Sequence, residues 1–125
     1  MKKLLLLAIL LFGTITFAQE TFILKYTSFI TKEDNVIQPE RFMNVTVVFN
    51  EKKTTDVVLY YDSGATIRYN TYGGTEKVTT KGGEKTQTVK ALDSADGKEV
   101  LLQLFESTGT LRIIIANGWF IEFYK

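Results

Sequence analysis

The sequence predicts a single all-β domain, an antiparallel up-and-down meander of about eight or nine strands that forms a barrel or a barrel-like sandwich. Short runs in which apolar and polar residues alternate recur along the chain, as expected of half-buried strands. Turn sequences separate these runs. Asn117-Gly118 and Asp96-Gly97 are the clearest, because a type I′ hairpin turn needs positive φ at both central residues. No run shows the 3.6-residue apolar period of a helix.

Residues 1–18 are predicted to be a secretory signal peptide, and residues 19–125 form the domain. Two lysines precede an apolar run at 4–12, and small or short residues lie three and one positions before Gln19. This layout is typical of a cleaved export signal. The apolar run is shorter than the roughly 20 residues that a membrane-spanning helix needs, so a retained N-terminal anchor is the weaker alternative.

The signal and the residue content together indicate where the protein works. The chain contains no cysteine, and a lipid anchor on the cleaved N-terminus would need one directly after the apolar run. We therefore expect an exported protein, periplasmic or secreted, without a lipid anchor and without a membrane span in the mature chain. It has to be stable without disulfides, through apolar packing and sheet hydrogen bonds.

Composition excludes several classes of function. Histidine is absent as well as cysteine, which rules out Ser-His-Asp triads, cysteine nucleophiles, and thiolate or imidazole metal sites. Enzymes that use only carboxylates, lysine or tyrosine remain open. Without the two signal lysines the chain carries 13 basic and 14 acidic residues, so it lacks the electrostatic footprint of a nucleic-acid-binding protein. We expect no catalysis, no cofactor, no metal and no nucleic acid.

The strands are predicted in order from their alternation and from the turns between them. Phe22, Leu24 and Tyr26 alternate as a strand would. The following segment to Arg41 reads as an irregular connection, in which 31–34 either caps a short helix or turns the chain. The remaining predicted strands are 43–49, 57–61, 67–69, 76–80, 86–92, 99–105, 110–116 and 119–124.

Turn lengths set the register of the last hairpins, and the register assigns residues to faces. We assign two-residue loops to 96–97 and 117–118 and a three-residue loop to 107–109. The resulting core face of the last four strands holds ten apolar residues, with Arg112 as its only charged member. These apolar residues are Val89, Ala91, Val100, Leu102, Leu104, Ile114, Ala116, Trp119, Ile121 and Phe123.

The opposite face is apolar across the last three strands, whereas a solvated sheet face should be mostly polar. On this face Lys90, Gln103, Ile113 and Glu122 line up as one row. We predict that the face is a binding surface. Its candidate binding residues are Gln103, Phe105, Ile113, Phe120, Glu122 and Tyr124.

Three explanations of this second apolar face remain open. The N-terminal segment could fold over it. The face could instead contact another protein or a second copy of the chain, since large apolar patches mark interaction sites. In the third explanation, this face points into the barrel and the predicted core face points outward. Gln103 and Glu122 would then anchor a ligand inside the barrel. The side chains that the N-terminal segment would use are Phe22, Leu24, Phe29, Val36 and Ile37.

The sequence therefore predicts a non-catalytic interaction module with an unknown partner. The alternative is a small barrel that carries an apolar ligand. The strand count is similar to that of calycin-type barrels, and this resemblance implies a ligand held inside. A paired-carboxylate enzyme is disfavoured because Glu106 and Glu122 fall on opposite faces, and such enzymes need two acids about 5–10 Å apart. The acidic loop 93–99 lacks the alternating ligand spacing of a calcium site.

Overall fold

The computed structural model describes residues 21–52, 55–116 and 118–125. The predicted signal peptide lies outside these residues. Nine strands and no helix occur in the described part of the chain. The strands are β1 (Phe22–Glu33), β2 (Val36–Ile37), β3 (Arg41–Phe49), β4 (Asp56–Tyr61), β5 (Thr66–Thr79), β6 (Lys85–Asp93), β7 (Glu99–Phe105), β8 (Leu111–Ala116) and β9 (Trp119–Tyr124).

The strands form one antiparallel sheet that closes on itself. Neighbours follow the order β2-β1-β3-β4-β5-β6-β7-β8-β9, and β1 also pairs with β9. A closed barrel of eight strands results, with β2 as one extra strand at the end of β1. The predicted all-β antiparallel meander is confirmed, and its closure makes it a barrel rather than a sandwich.

β1 is longer than predicted because it pairs with two neighbours. Its first half pairs with β3 and its second half with β9, and the register shifts between Tyr26 and Ser28. The strand therefore continues through 31–33, where the sequence suggests a helix cap or an irregular connection. It ends at a turn in which Asp34 and Asn35 adopt positive φ angles of 52° and 65°.

The N-terminal segment does not cover the apolar outer face, so this explanation of the face is wrong. Leu24 and Phe29 belong to the buried core of the barrel. Val36 and Ile37 expose 58% and 60% of their surface. The physical reason is closure: without β1 between them, β3 and β9 would each present an unpaired strand edge.

Side chains pack the barrel interior. Seventeen residues form one buried apolar cluster. Within it the ring centroid of Phe123 lies 5.8 Å from that of Tyr26, 5.6 Å from that of Phe29 and 6.2 Å from that of Tyr61. An eight-stranded barrel is just wide enough either to be filled by side chains or to hold one small ligand, and these aromatic contacts are those of a filled interior.

The loop between β6 and β7 is longer than predicted, but the side chains of both strands still lie on the predicted faces of the sheet. It has four residues, 94–97, and the Asp93 N–H donates to the Lys98 carbonyl at 2.9 Å. The register therefore shifts by two residues relative to the expected pairing. Because side chains alternate with period two, the predicted faces of β6 and β7 are unchanged.

The predicted face of β8 is reversed. The loop 106–109 also has four residues, since the Phe105 N–H donates to the Thr110 carbonyl at 2.9 Å. This one-residue shift turns every side chain of β8 to the opposite face. A further register shift between Ile114 and Ala116 restores the expected pairing at the final turn.

The reversal of β8 changes the predicted core. Leu111 and Ile113 are fully buried in the barrel. Ile114 is half-buried, and Ala116 and Trp119 are exposed, so their placement in the core is wrong. Val89, Ala91, Val100, Leu102, Leu104 and Phe123 are core residues as predicted, and Ile121 packs against them.

The buried tyrosines should make the folded state less stable at alkaline pH. Burial raises the pKa of Tyr61 to about 12, and it also raises the pKa of Tyr26 and of Tyr69. An unfolded chain releases these protons near pH ~10, whereas the folded chain still holds them. We therefore expect the contribution of these tyrosines to the free energy of unfolding to be constant below about pH 10 and to fall above it. Urea unfolding at a series of pH values, with tyrosinate absorbance followed in parallel, checks this; a free energy of unfolding that does not fall above about pH 10 would contradict it.

Candidate functional site

The candidate site is the outer face of β6–β9 together with the second half of β1. Strand pairing arranges its side chains in rows that run across the strands. The polar row consists of Thr88, Gln103, Arg112 and Glu122. The row beside it is here called the apolar row. It has Leu101, Ile114 and Phe120 in the middle, with Lys90 at one end and Lys32 at the other.

The structure brings five of the six predicted site residues onto this face. The sixth, Ile113, has an exposed fraction of 0% and belongs to the core, so its placement on the outer face is wrong. Arg112 occupies its position in the row. The five residues that share the face are Gln103, Phe105, Phe120, Glu122 and Tyr124.

Arg112 is held between two aromatic rings. Its guanidinium carbon lies 5.1 Å from the ring centroid of Phe105 and 4.7 Å from that of Phe120. Its Nε and Nη2 atoms each lie 2.6 Å from Oε2 of Glu122. Arginine suits this position because its planar, weakly hydrated cation can stack on rings while it donates from its edge. Arg112 therefore connects the two rings to Glu122.

Glu122 connects Arg112 to Tyr124. The carboxylate is nine-tenths buried, and its Oε1 accepts a hydrogen bond from the Tyr124 hydroxyl. The pKa of Tyr124 is raised, mainly by burial and to a smaller extent by the hydrogen bond to Glu122. At neutral pH Tyr124 is thus a neutral donor, and the charges of Arg112 and Glu122 balance. Arg112, Glu122 and Tyr124 thus form one hydrogen-bonded group beside the rings of Phe105 and Phe120.

Gln103 extends the polar row toward β5. Its Nε2 donates to Oγ1 of Thr86 at 3.4 Å, and that hydroxyl donates to the Val78 carbonyl at 2.8 Å. Gln103 and Thr86 are both buried. The row is therefore tied to the backbone of β5, which limits its freedom to reorganise.

The apolar row is the more accessible part of the face. Leu101, Ile114 and Phe120 are half-buried, and the Lys32 ammonium lies 5.6 Å from the ring centroid of Phe120. Two shallow grooves of about 400 Å³ and 320 Å³ both have Lys90 and Leu101 in their walls.

Other charged groups act locally on the fold. In the acidic loop, Oδ1 of Asp93 accepts from the Ala95 N–H at 2.8 Å, and Oδ1 of Asp96 accepts from the Lys98 N–H at 2.9 Å. These contacts shape the turn. Among the described residues, no group of three or more acidic, histidine or cysteine side chains is arranged to hold a metal ion.

A second polar cluster lies on the outer face of β4 and β5, and sequence reasoning missed it. Arg68 Nη1 lies 2.7 Å from Oδ2 of Asp56, which is almost fully buried, and Nη2 lies 3.3 Å from Oε1 of Glu51. Oδ1 of Asp56 also accepts from the Glu51 N–H at 2.6 Å, and the Tyr60 hydroxyl donates to Glu51. The cluster fastens the turn between β3 and β4. Its residues come from the turn before β4 and from β4 and β5, and the sequence shows no motif that predicts their pairing.

The ion pair of Arg112 and Glu122 should contribute measurably to stability. We expect Arg112→Ala to lower the free energy of unfolding by about 1–3 kcal/mol because it leaves a buried carboxylate with one partner fewer. The loss should fall toward the lower end, since the Arg112 side chain keeps 30% exposure. A double-mutant cycle with Glu122→Gln, followed by urea unfolding, should give a coupling of about 1 kcal/mol. Lys25→Ala, at an exposed position of β1, is the control. A coupling of zero would contradict a stabilising contribution from the pair.

In the part of the chain that the structure describes, no helix is long and apolar enough to cross a membrane. Neither a protein-family model, nor a curated protein, nor a solved structure matches this chain. The function has to be argued from the chemistry of the face itself.

Proposed function

We propose that this chain is an exported, non-catalytic interaction module that binds a protein partner through the apolar row on the outer face of β6–β9. The observation that carries the proposal is the half-exposed group Leu101, Ile114 and Phe120, which the N-terminal segment leaves uncovered. Contiguous exposed apolar patches on protein surfaces mark contacts with other molecules.

The neighbouring polar row supports the proposal. Binding energy in interfaces is concentrated in a few aromatic and arginine anchors, and rigid anchors lose less conformational entropy on binding. Arg112 of the polar row and Phe120 beside it, both half-buried, form such a prearranged pair, and the buried Phe105 ring and Glu122 hold Arg112 in place. A partner would meet an ordered surface at little entropic cost.

The alternative function, a carrier of an apolar ligand inside the barrel, has less support. It would need free volume where the aromatic rings around Phe123 are in contact. Native mass spectrometry of the protein purified from its source distinguishes the two functions. A reproducibly bound lipid or pigment would favour the carrier, and a mass equal to the chain from Gln19 to Lys125 alone would favour the interaction module and support export with cleavage.

Site-specific photo-crosslinking in the exporting cell tests the interaction module. A photoreactive phenylalanine analogue replaces Phe120 in one variant and Tyr60, on the outer face of β4, in the other. We expect a discrete protein adduct from position 120 and none from position 60. Adding Ile114→Lys to the first variant should abolish the adduct, because a lysine in the middle of the apolar row would be buried in the contact. Equal adducts from both positions, or none from either, would overturn the proposal.

A further inference from the structure

We propose that the groove of about 400 Å³ at the β5–β6 pairing binds a neutral sugar chain. This groove, here called the bulge groove, lies beside the apolar row, with which it shares Lys90 and Leu101. Its volume falls within the range of small-molecule sites, about 300–1,000 Å³. Sugar binding there would be a function additional to the protein contact. The wall of the groove includes Tyr72, Gly73, Gly74, Glu76, Thr88 and Lys90.

A bulge in β5 borders the groove. The register passes from the Tyr72–Lys90 pair directly to the Glu76–Thr88 pair, so residues 73–75 of β5 lie opposite a single residue of β6. Bulges are frequent beside functional sites, where they redirect side chains and interrupt strand pairing. The regular surface of the sheet is therefore broken at the groove.

Gly74 leaves this part of the groove without a side chain. Gly73 adopts a φ of 71°, which favours glycine, but Gly74 has no positive φ. A Cβ at Gly74 would meet no heavy atom within 4 Å outside its two chain neighbours. Neither a left-handed backbone nor a lack of space thus requires glycine at position 74. Glycine inside a strand often marks a place where a ligand approaches closely, and the groove provides such a place.

Thr88 contributes a hydroxyl group without a partner. The residue exposes 9% of its surface, and its Oγ1 forms no hydrogen bond with the described residues. Its cross-strand neighbour Gln103 donates to Thr86 instead. A buried hydroxyl without a partner destabilises a fold. A ligand that hydrogen-bonds with Oγ1 would remove this cost, which ties the stability of the protein to occupation of the groove.

The charged groups of the groove favour a neutral ligand. Glu76 and Lys90 are exposed, and neither forms an ion pair among the described residues. A ligand with a net charge would be attracted by one of them and repelled by the other. The carboxylate accepts hydrogen bonds, the ammonium donates them, and the Thr88 hydroxyl does both. Sugar hydroxyls also donate and accept, so they match all three groups.

Tyr72 provides an apolar surface for a sugar ring. It is the cross-strand partner of Lys90 and exposes 39% of its surface. A tyrosine ring offers a large apolar face together with a polar hydroxyl, and the C–H groups on one side of a sugar ring pack on such a face. The second groove, of about 320 Å³, begins at the same Lys90 and Leu101. A ligand of several sugar units therefore has room to extend along the sheet.

Calorimetric titration of the chain from Gln19 to Lys125 with neutral hexasaccharides of glucose, xylose, mannose and N-acetylglucosamine tests the proposal. We expect at least one of them to bind with a dissociation constant below about 1 mM. Thr88→Val should weaken binding about tenfold, which corresponds to the loss of one hydrogen bond. The same variant should unfold at higher urea concentration, because the unpartnered hydroxyl is gone. Thr66→Val, at an exposed position of β5 outside the groove, is the matched control and should leave the affinity unchanged.

Gly74→Leu tests the groove by filling it. We expect the variant to fold, which circular dichroism checks, and to lose sugar binding. Gly82→Leu, in the exposed β5–β6 turn, introduces the same side chain outside the groove and should bind normally. No binding of any neutral hexasaccharide, tighter binding of hexagalacturonate, or affinities that Thr88→Val and Gly74→Leu leave unchanged would each overturn the proposal.

The crosslink at position 120 separates failure of the sugar site from failure of the protein contact. Thr88 and Gly74 lie outside the apolar row, so Thr88→Val should leave the adduct at position 120 unchanged. A chain that binds no sugar but forms this adduct rules out the sugar site and leaves the interaction module standing. A chain that binds a sugar but forms no adduct has the opposite meaning.

Discussion

Ile113→Lys should unfold the protein or cost more than about 4 kcal/mol of its free energy of unfolding. Ile113 is fully buried against the core, where it pairs with Leu102 and Ile121. An ammonium group there would be transferred from water into an apolar interior without a partner, which is among the costliest single substitutions. Urea unfolding at neutral pH measures the loss.

The neighbouring residue provides the matched control. Ile114→Lys introduces the same charge one position along the same strand, but on the half-exposed outer face. We expect it to change the free energy of unfolding by less than about 1 kcal/mol. If Ile114→Lys were the damaging substitution and Ile113→Lys the mild one, the assignment of Ile113 to the core and of Ile114 to the outer face would be contradicted.

Phe123→Ala should be the other highly destabilising change. The ring is fully buried and contacts the rings of Tyr26, Phe29 and Tyr61. Its removal leaves a cavity in the middle of the barrel, and such substitutions cost about 3–5 kcal/mol. Domains of this size are stable by about 5–15 kcal/mol, so the variant should unfold at much lower urea concentration, with an unchanged dependence on urea.

Phe42→Ala is the control for Phe123→Ala. Phe42 exposes 79% of its surface on β3, so its removal should change stability by no more than about 0.5 kcal/mol. A loss below about 1 kcal/mol for Phe123→Ala would mean that the interior is loosely packed. That result would support the ligand carrier over the interaction module.

The fold class and most faces were predictable from sequence because they depend on alternation. A two-residue error in the β6–β7 loop left Val89, Leu102 and Leu104 in the core, since the side-chain period of a strand is also two. The candidate face was predictable for the same reason. The predicted site residues on this face lie on β7 and β9, where the alternation within each strand assigns every side chain to a face. They are Gln103, Phe105, Phe120, Glu122 and Tyr124.

The faces of β8 were not predictable from turn lengths because the strand has an irregularity at each end. The four-residue loop before it and the register shift at its end each move the pairing by one residue. Its sequence, with Ile113, Ile114 and Ile115 in succession, offers apolar residues to both faces and so does not reveal the error. The one signal is Arg112, a charge on the predicted core face that moving β8 by one residue returns to the surface.

The length of β1 was not predictable from the sequence, for a different reason. The end of β1, from Thr31 to Glu33, is polar and charged, and its partner strand β9 lies at the far end of the chain. Local patterns cannot show that a strand is needed to close a barrel. For the same reason the pairing of Arg68 with Asp56, and of Arg112 with the rings beside it, emerges only from the assembled sheet.

Cysteine labelling tests most directly whether the apolar row is a contact surface. The chain has no cysteine of its own, so Ile114→Cys and Ser63→Cys each introduce a unique thiol, one in the row and one in the exposed β4–β5 turn. A maleimide reagent is applied to each variant in the exporting cell and as dilute purified protein. We predict that position 114 reacts several-fold more slowly in the cell than in dilute solution, while position 63 reacts equally in both. Equal rates at position 114 in the two settings would contradict the proposal that a partner covers this face.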